Sequence, residues 1–124
     1  MQKVVVVDDE PRILRMLTSF LKVEGYEAIG SASAEAALPL CAAQLPDLVM
    51  LDIHLPGLDG IEACRLLRTM PDTMLLPVII FSGHVSKAEE AAARELGARI
   101  VRKPFNLEKL KKIVAEELGK SPAV

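Results

Sequence analysis

Short unbroken apolar runs alternate along this chain with stretches in which apolar residues recur three or four apart. Each run spans about the length of a strand covered on both faces, and each spaced stretch marks one side of a helix. The first run is Val4 to Val7, within a strand expected over residues 3–7, and it stops at Asp8-Asp9-Glu10-Pro11. Pro11 suits a first helical turn with an acidic cap before it, and Ile13, Leu17, Phe20 and Leu21 then form one stripe that closes at Gly25. Residues 26–31 read as a second strand, after which Ser33 can cap a helix running from Ala34 to about Ala43. Pro39 inside that helix costs about 3 kcal/mol, which predicts a kink or a late start.

The alternation then repeats. Residues 47–51 read as a third strand and 58–68 as a helix with Ile61, Cys64 and Leu67 inward. A loop over 69–76 containing Pro71 leads to a fourth strand at 77–81. Ser86-Lys87-Ala88-Glu89 has capping-box spacing for a helix reaching Gly97. A short fifth strand at 99–102 is broken by Lys103-Pro104-Phe105. Asn106 caps a last helix whose stripe is Leu107, Leu110, Ile113, Val114 and Leu118. Five β-α pairs imply an α/β fold, a doubly wound five-stranded parallel sheet with helices on both faces. With 124 residues the chain suits one domain, expected over 1–118, with 119–124 as a C-terminal tail or linker stub.

Composition narrows the function. Hydrophobic residues make up 51% of the chain while the aromatics are only Phe20, Tyr26, Phe81 and Phe105, so the core must be aliphatic. A net charge of -2 with both signs interspersed offers no basic stripe, which argues against direct nucleic-acid binding. Cys41 and Cys64 fall in helical patterns without metal-ligand spacing and read as small core hydrophobes of a reducing compartment. No apolar run approaches a membrane span and no signal peptide precedes the first strand, so a cytoplasmic protein is expected.

The chemistry gathers at the strand ends. Asp52 interrupts the apolar stretch from Leu48 to His54 near its end, and Pro56-Gly57 then turns the chain. An unpaired buried carboxylate costs several kcal/mol, so Asp52 is expected at the mouth of its strand, facing a metal, cation or substrate. Asp8 and Asp9 follow the first strand, Ser82 the fourth and Lys103 the fifth. In an open doubly wound sheet this is where ligands bind. Three carboxylates brought together call for a hard divalent cation, and Mg²⁺ fits because it takes one or two carboxylates plus a phosphate. With Mg²⁺ and Lys103 neutralising the phosphoryl oxygens, Asp52 can accept a phosphoryl group as an acyl phosphate, and Ser82 can donate its hydroxyl to it.

These residues resemble a known family, the receiver domain of bacterial two-component response regulators. The likeness runs from Val4-Val5-Val6-Val7-Asp8-Asp9 through Leu51-Asp52-Ile53-His54-Leu55-Pro56-Gly57 and Phe81-Ser82-Gly83 to Lys103-Pro104-Phe105. It implies a flavodoxin-like fold with strand order 2-1-3-4-5, and a signalling switch rather than an enzyme, one that catalyses only its own phosphorylation and dephosphorylation. It also implies that Asp52 is phosphorylated by a histidine kinase or histidine phosphotransfer protein. Asp9, Asp52 and the backbone carbonyl of His54 would ligate Mg²⁺, with Asp8 acting through water. Ser82 and Lys103 would hold the phosphoryl group, and the Lys103-Pro104 bond would be cis.

Two departures stand out. Receivers commonly carry an aromatic residue three positions before the lysine, where this chain has Ile100, and Gly97 to Lys103 is one residue shorter than usual. Both alter the fourth helix, fifth strand and fifth helix, the family's usual face toward an output domain or protein; a homodimer is also allowed. His54 and His84 each lie two residues past a site residue and read first as exposed loop histidines, with His84 as a candidate for tuning the lifetime of the phosphorylated state. A dehalogenase-type phosphatase would want a second Asp where His54 stands, and a flavin carrier would want aromatics to sandwich its ring. A degenerate, phosphorylation-independent interaction module fits Ile100 but not the intact acidic set.

Overall fold

A computed structural model describes residues 1–119; of the expected tail, 120–124 lie outside the described residues. The chain order is β1 (Lys3–Val7), α1 (Pro11–Val23), β2 (Glu27–Ser31), α2 (Ala34–Gln44), β3 (Leu48–Asp52), α3 (Gly60–Leu67), β4 (Val78–Ser82), α4 (Lys87–Glu95), β5 (Arg99–Arg102) and α5 (Leu107–Leu118). All strand pairs are parallel, in the order β2-β1-β3-β4-β5. This is the doubly wound, flavodoxin-like sheet that the β-α alternation and the family resemblance imply.

Alternation along each strand divides the core in two. Val5, Val7, Val49, Leu51, Val78 and Ile80 face α2, α3 and α4, where Ala37, Cys41, Cys64, Leu67 and Ala93 meet them. Val4, Val6, Leu48, Met50, Ile79 and Phe81 face Leu17 and Leu21 of α1 and Leu110, Val114 and Leu118 of α5. Each such aliphatic side chain contributes about 1.5–3 kcal/mol when buried, so a core nearly free of aromatics suffices for a domain of this size.

Several boundaries differ from the sequence reading. β3 starts at Leu48 because Asp47 is spent on a tether: its carboxylate accepts the Lys3 backbone N–H at 2.8 Å and its own N–H donates to the Lys3 carbonyl. At the other end Asp52 pairs with Phe81 and is the last residue of the strand. α2 begins at once after Ser33, whose hydroxyl accepts the Ala36 N–H, and runs through Pro39. A late start is therefore excluded. The bond forfeited at Pro39 would have gone to the carbonyl of Glu35, at the first turn.

Glu10 occupies the N-cap of α1 without a capping side-chain bond, so the acidic cap expected there is absent. α3 starts only at Gly60, with the Asp59 side chain as its cap on the Glu62 N–H. The Ser86–Glu89 capping box forms as its spacing predicts, and α4 ends at Glu95, short of Gly97. Leu107, assigned to the inner stripe of α5, is exposed instead.

Candidate functional site

Parallel pairing carries the ends of β1, β3, β4 and β5 to one rim of the sheet. Asp8 follows Val7, which pairs with Leu51; Asp52 pairs with Phe81, and Ser82 with Arg102, the residue before Lys103. Backbone bonds fix the ends further, from Asp8 N–H to the Ser31 carbonyl, Ile53 N–H to the Phe81 carbonyl and Lys103 N–H to the Ser82 carbonyl.

Asp8 is fully buried and Asp52 is 6% exposed, while Asp9 is open to solvent. One carboxylate oxygen from each of the three lies within 4.8 Å of the others. Lys103 Nζ stands 3.2 Å from Oδ2 of Asp8 and 3.2 Å from Oδ2 of Asp52. The same ammonium lies 5.2 Å above the Phe81 ring, and Phe105 packs edge-on against that ring. The Lys103-Pro104 peptide is cis.

The remaining carboxylate oxygens are held by backbone. Asp8 Oδ1 accepts the Glu10 N–H at 2.8 Å and Asp52 Oδ1 accepts the His54 N–H at 3.1 Å. Burial pushes the Asp8 carboxyl above its usual range, an effect that the Glu10 N–H and Lys103 only partly counter. Burial alone would lower the Lys103 ammonium, but Asp52 and then Asp8 hold it above its usual value. Among the described residues no buried side-chain nitrogen or oxygen lacks a partner.

Ser82 is buried beside this cluster, and its hydroxyl is engaged elsewhere: Oγ donates to the His84 carbonyl at 3.0 Å and accepts the His84 N–H at 3.2 Å. His54 and His84 are exposed, as expected of loop residues. They are not independent, because His54 Nε2 lies 2.8 Å from the His84 carbonyl oxygen. Ile100, at the position of the family's usual aromatic, is half-buried against the α2, α3 and α4 layer.

Two residues important to this geometry are not among the sequence candidates. Gly60 donates its N–H to the Ile53 carbonyl, and a Cβ there would meet the backbone of Asp52 and Ile53. Glu35 of α2 accepts the Leu58 N–H, and a Cβ at Gly57, where φ is +75°, would meet its carboxylate. The glycine in Leu58-Asp59-Gly60 followed by the apolar Ile61 is the signal that marks a close helix start; Glu35 leaves none.

The arrangement joins two buried acids, an exposed acid, an ammonium and a hydroxyl at the carboxyl ends of parallel strands, where a cation and an anion can be bound together. The receiver domain of a sensor histidine kinase from Pseudomonas aeruginosa, solved with a magnesium ion coordinated in its active-site cleft, shares the fold, with a TM-score of 0.86, 24% identity and coverage of 95% of this chain and 98% of that one. The chemotaxis protein CheY4 of Vibrio cholerae has a TM-score of 0.88 at 27% identity, covering 94% and 98%. NtrX of Brucella abortus is 32% identical with a TM-score of 0.86, and the match covers 96% of this chain but 27% of that longer one. The family model of the response regulator receiver domain matches residues 4–115, and with the strand order and acidic rim already described, this chain belongs to the receiver domains, phospho-accepting switches of two-component signalling.

Proposed function

We propose that Asp52 is the phosphoacceptor of this receiver, with Lys103 and Ser82 as the groups that hold the phosphoryl oxygens. The observation that carries this reading is the cluster itself: Asp8, Asp9 and Asp52 bring carboxylate oxygens within 4.8 Å of one another, and the Lys103 ammonium touches two of the three acids. The donor set fits Mg²⁺, since hard oxygens of two buried acids and one exposed acid leave one side open to water and phosphate. Asp9, Asp52 and the backbone carbonyl of His54 would hold it directly and Asp8 through water; bound there, it offsets the charge of the carboxylates and of the incoming phosphoryl group.

In the transfer, an Asp52 carboxylate oxygen forms a bond to phosphorus as the bond from phosphorus to the donor histidine nitrogen breaks. Lys103 stays within reach of Asp52 and neutralises charge on the transferred group. Water ends the phosphorylated state by attacking the same phosphorus as the bond from phosphorus to the Asp52 oxygen breaks, which releases inorganic phosphate and restores the carboxylate; the domain thus catalyses its own phosphorylation and dephosphorylation and turns over no separate substrate. The donor is a histidine kinase or a histidine phosphotransfer protein. The output domain or protein engages the face of α4, β5 and α5, where Glu90 pairs with Arg94 and Arg102, and Arg99 with Glu116; a homodimer through that face is the other arrangement it would support. Residues 1–118 make up the folded receiver, with 119–124 as its tail, working in the cytoplasm. Among the described residues no helix is long and apolar enough to cross a membrane.

The test is phosphorylation with acetyl phosphate and Mg²⁺. Label should appear on the wild type, be absent from Asp52→Ala, and require the metal; label retained by Asp52→Ala overturns the assignment. His84 is proposed to set the lifetime of the acyl phosphate from its place at the rim. A dephosphorylation rate for His84→Ala within about twofold of wild type would remove that role.

A further inference from the structure

The His84 carbonyl oxygen receives two hydrogen bonds. One comes from Ser82 Oγ at 3.0 Å, the other from the His54 ring at 2.8 Å. A carbonyl only accepts, so the ring nitrogen at this contact, Nε2, carries its hydrogen. The two donors come from different segments of the chain. Ser82 ends β4, whereas His54 follows β3 and gives its backbone N–H to Oδ1 of Asp52 at 3.1 Å. The other ring nitrogen of His54 lies 3.9 Å from a carboxylate oxygen of Glu89, so the imidazole is seated between the β4–α4 loop and the first turn of α4.

Ser82 has a single hydroxyl hydrogen. Bonded to His84, it is not available to an anion on Asp52; turned toward that anion, it deserts a part-buried carbonyl. Losing a donor at a part-buried acceptor gives up about one hydrogen bond, and an acceptor that keeps a second donor gives up less. The geometry points to His54 as a positioning residue for Ser82: its imidazole keeps the His84 carbonyl satisfied when the hydroxyl turns to the phosphoryl group, and so lowers the cost of that turn. This rests on the assignment of Asp52 and Ser82 above and adds to it the residue that frees the serine.

The probe is beryllofluoride, which stands in for the phosphoryl group, titrated with saturating Mg²⁺ and followed by NMR. His54→Leu, similar in bulk but without a donor, should bind it about 3–10-fold more weakly than wild type, the range for one hydrogen bond, and His54→Gln should recover most of the loss. In a Ser82→Ala background the His54→Leu effect should vanish, since no hydroxyl remains to be freed. The His84 amide, which donates to Ser82 Oγ at 3.2 Å, should shift on titration in the wild type and shift less in His54→Leu. Native-like spectra of the free variants establish that each is folded. Equal affinity of His54→Leu and wild type, or the same loss in the Ser82→Ala background, overturns the role of His54 while leaving the assignment of Asp52 intact. Absence of binding to the wild type overturns both.

Discussion

Lys103 and Asp52 are 51 positions apart in the chain, yet the ammonium of one lies 3.2 Å from the carboxylate of the other, within a pocket that Asp8 completes. Two carboxylates, nearly or wholly out of water, depend on one cation supplied by the protein.

Removing that cation should be costly. Lys103→Ala leaves Asp8 and Asp52 facing each other unneutralised, and it should lose about 2–4 kcal/mol of stability, somewhat below the figure for a fully buried pair because the lysine is partly exposed. Added Mg²⁺ should restore more stability to the variant than it adds to wild type. Urea denaturation with and without the metal checks this, and an equal metal effect on both proteins would count against it.

Asp8 behaves in the opposite sense. Burial raises its folded-state pKa above the usual 3.8, so its contribution is favourable below that value and is lost as pH rises through the higher folded value. Asp8→Asn should therefore be more stable than wild type at pH 7 in EDTA. With millimolar Mg²⁺ the wild type should gain stability by binding while the variant gains little. Melting curves at two pH values and two metal concentrations would show the reversal.

The capping box of α4 gives a second pH effect of different sign. Glu89 accepts the Ser86 backbone N–H at 2.9 Å, which holds its carboxyl below the usual 4.5. A depressed acid stabilises the fold above the unfolded value, and that benefit disappears as pH falls through the folded one. Glu89→Ala should cost about 0.5–1 kcal/mol at pH 7, and the difference from wild type should close in acid.

Gly60 and Gly83 offer a paired comparison. A Cβ at Gly60 would press on the backbone of Asp52 and Ile53, whereas one at Gly83 meets nothing within 4 Å. Gly60→Ala should destabilise by about 1–3 kcal/mol and weaken Mg²⁺ binding by displacing Asp52. Gly83→Ala should stay within about 0.5 kcal/mol of wild type. Similar losses at both positions would show that close approach is not the cause.

Most of the fold was legible because strand and helix periods differ sharply here: four consecutive valines, two capping serines and the spacing from Leu110 to Leu118 admit few alternatives. The rim was legible for the same reason, since polar residues directly after apolar runs must fall at strand ends. What escaped depends on backbone partners and on which side of a helix faces out. Asp47 and Asp52 flank the third apolar run as similar residues; the Lys3 backbone claims the first, and pairing with Phe81 takes the second into the strand. Ser82 looks free in the sequence because its acceptor is a backbone carbonyl, and backbone atoms leave no trace in residue identity. Leu107 fits the helical period but lies on the exposed side of the first turn of α5, which periodicity alone does not reveal.

β5 is only four residues long, begins and ends in arginine, and has a neighbour on one flank only. Its outer flank is where a strand from another molecule could add on and extend the sheet. Arg99 is occupied by Glu116 and Glu117, and Arg102 by Glu90, so an intruding strand would have to disrupt charged pairs along a very short stretch. At this edge the charged pairs disfavour backbone pairing with another sheet, and the strand remains open to contacts made with side chains.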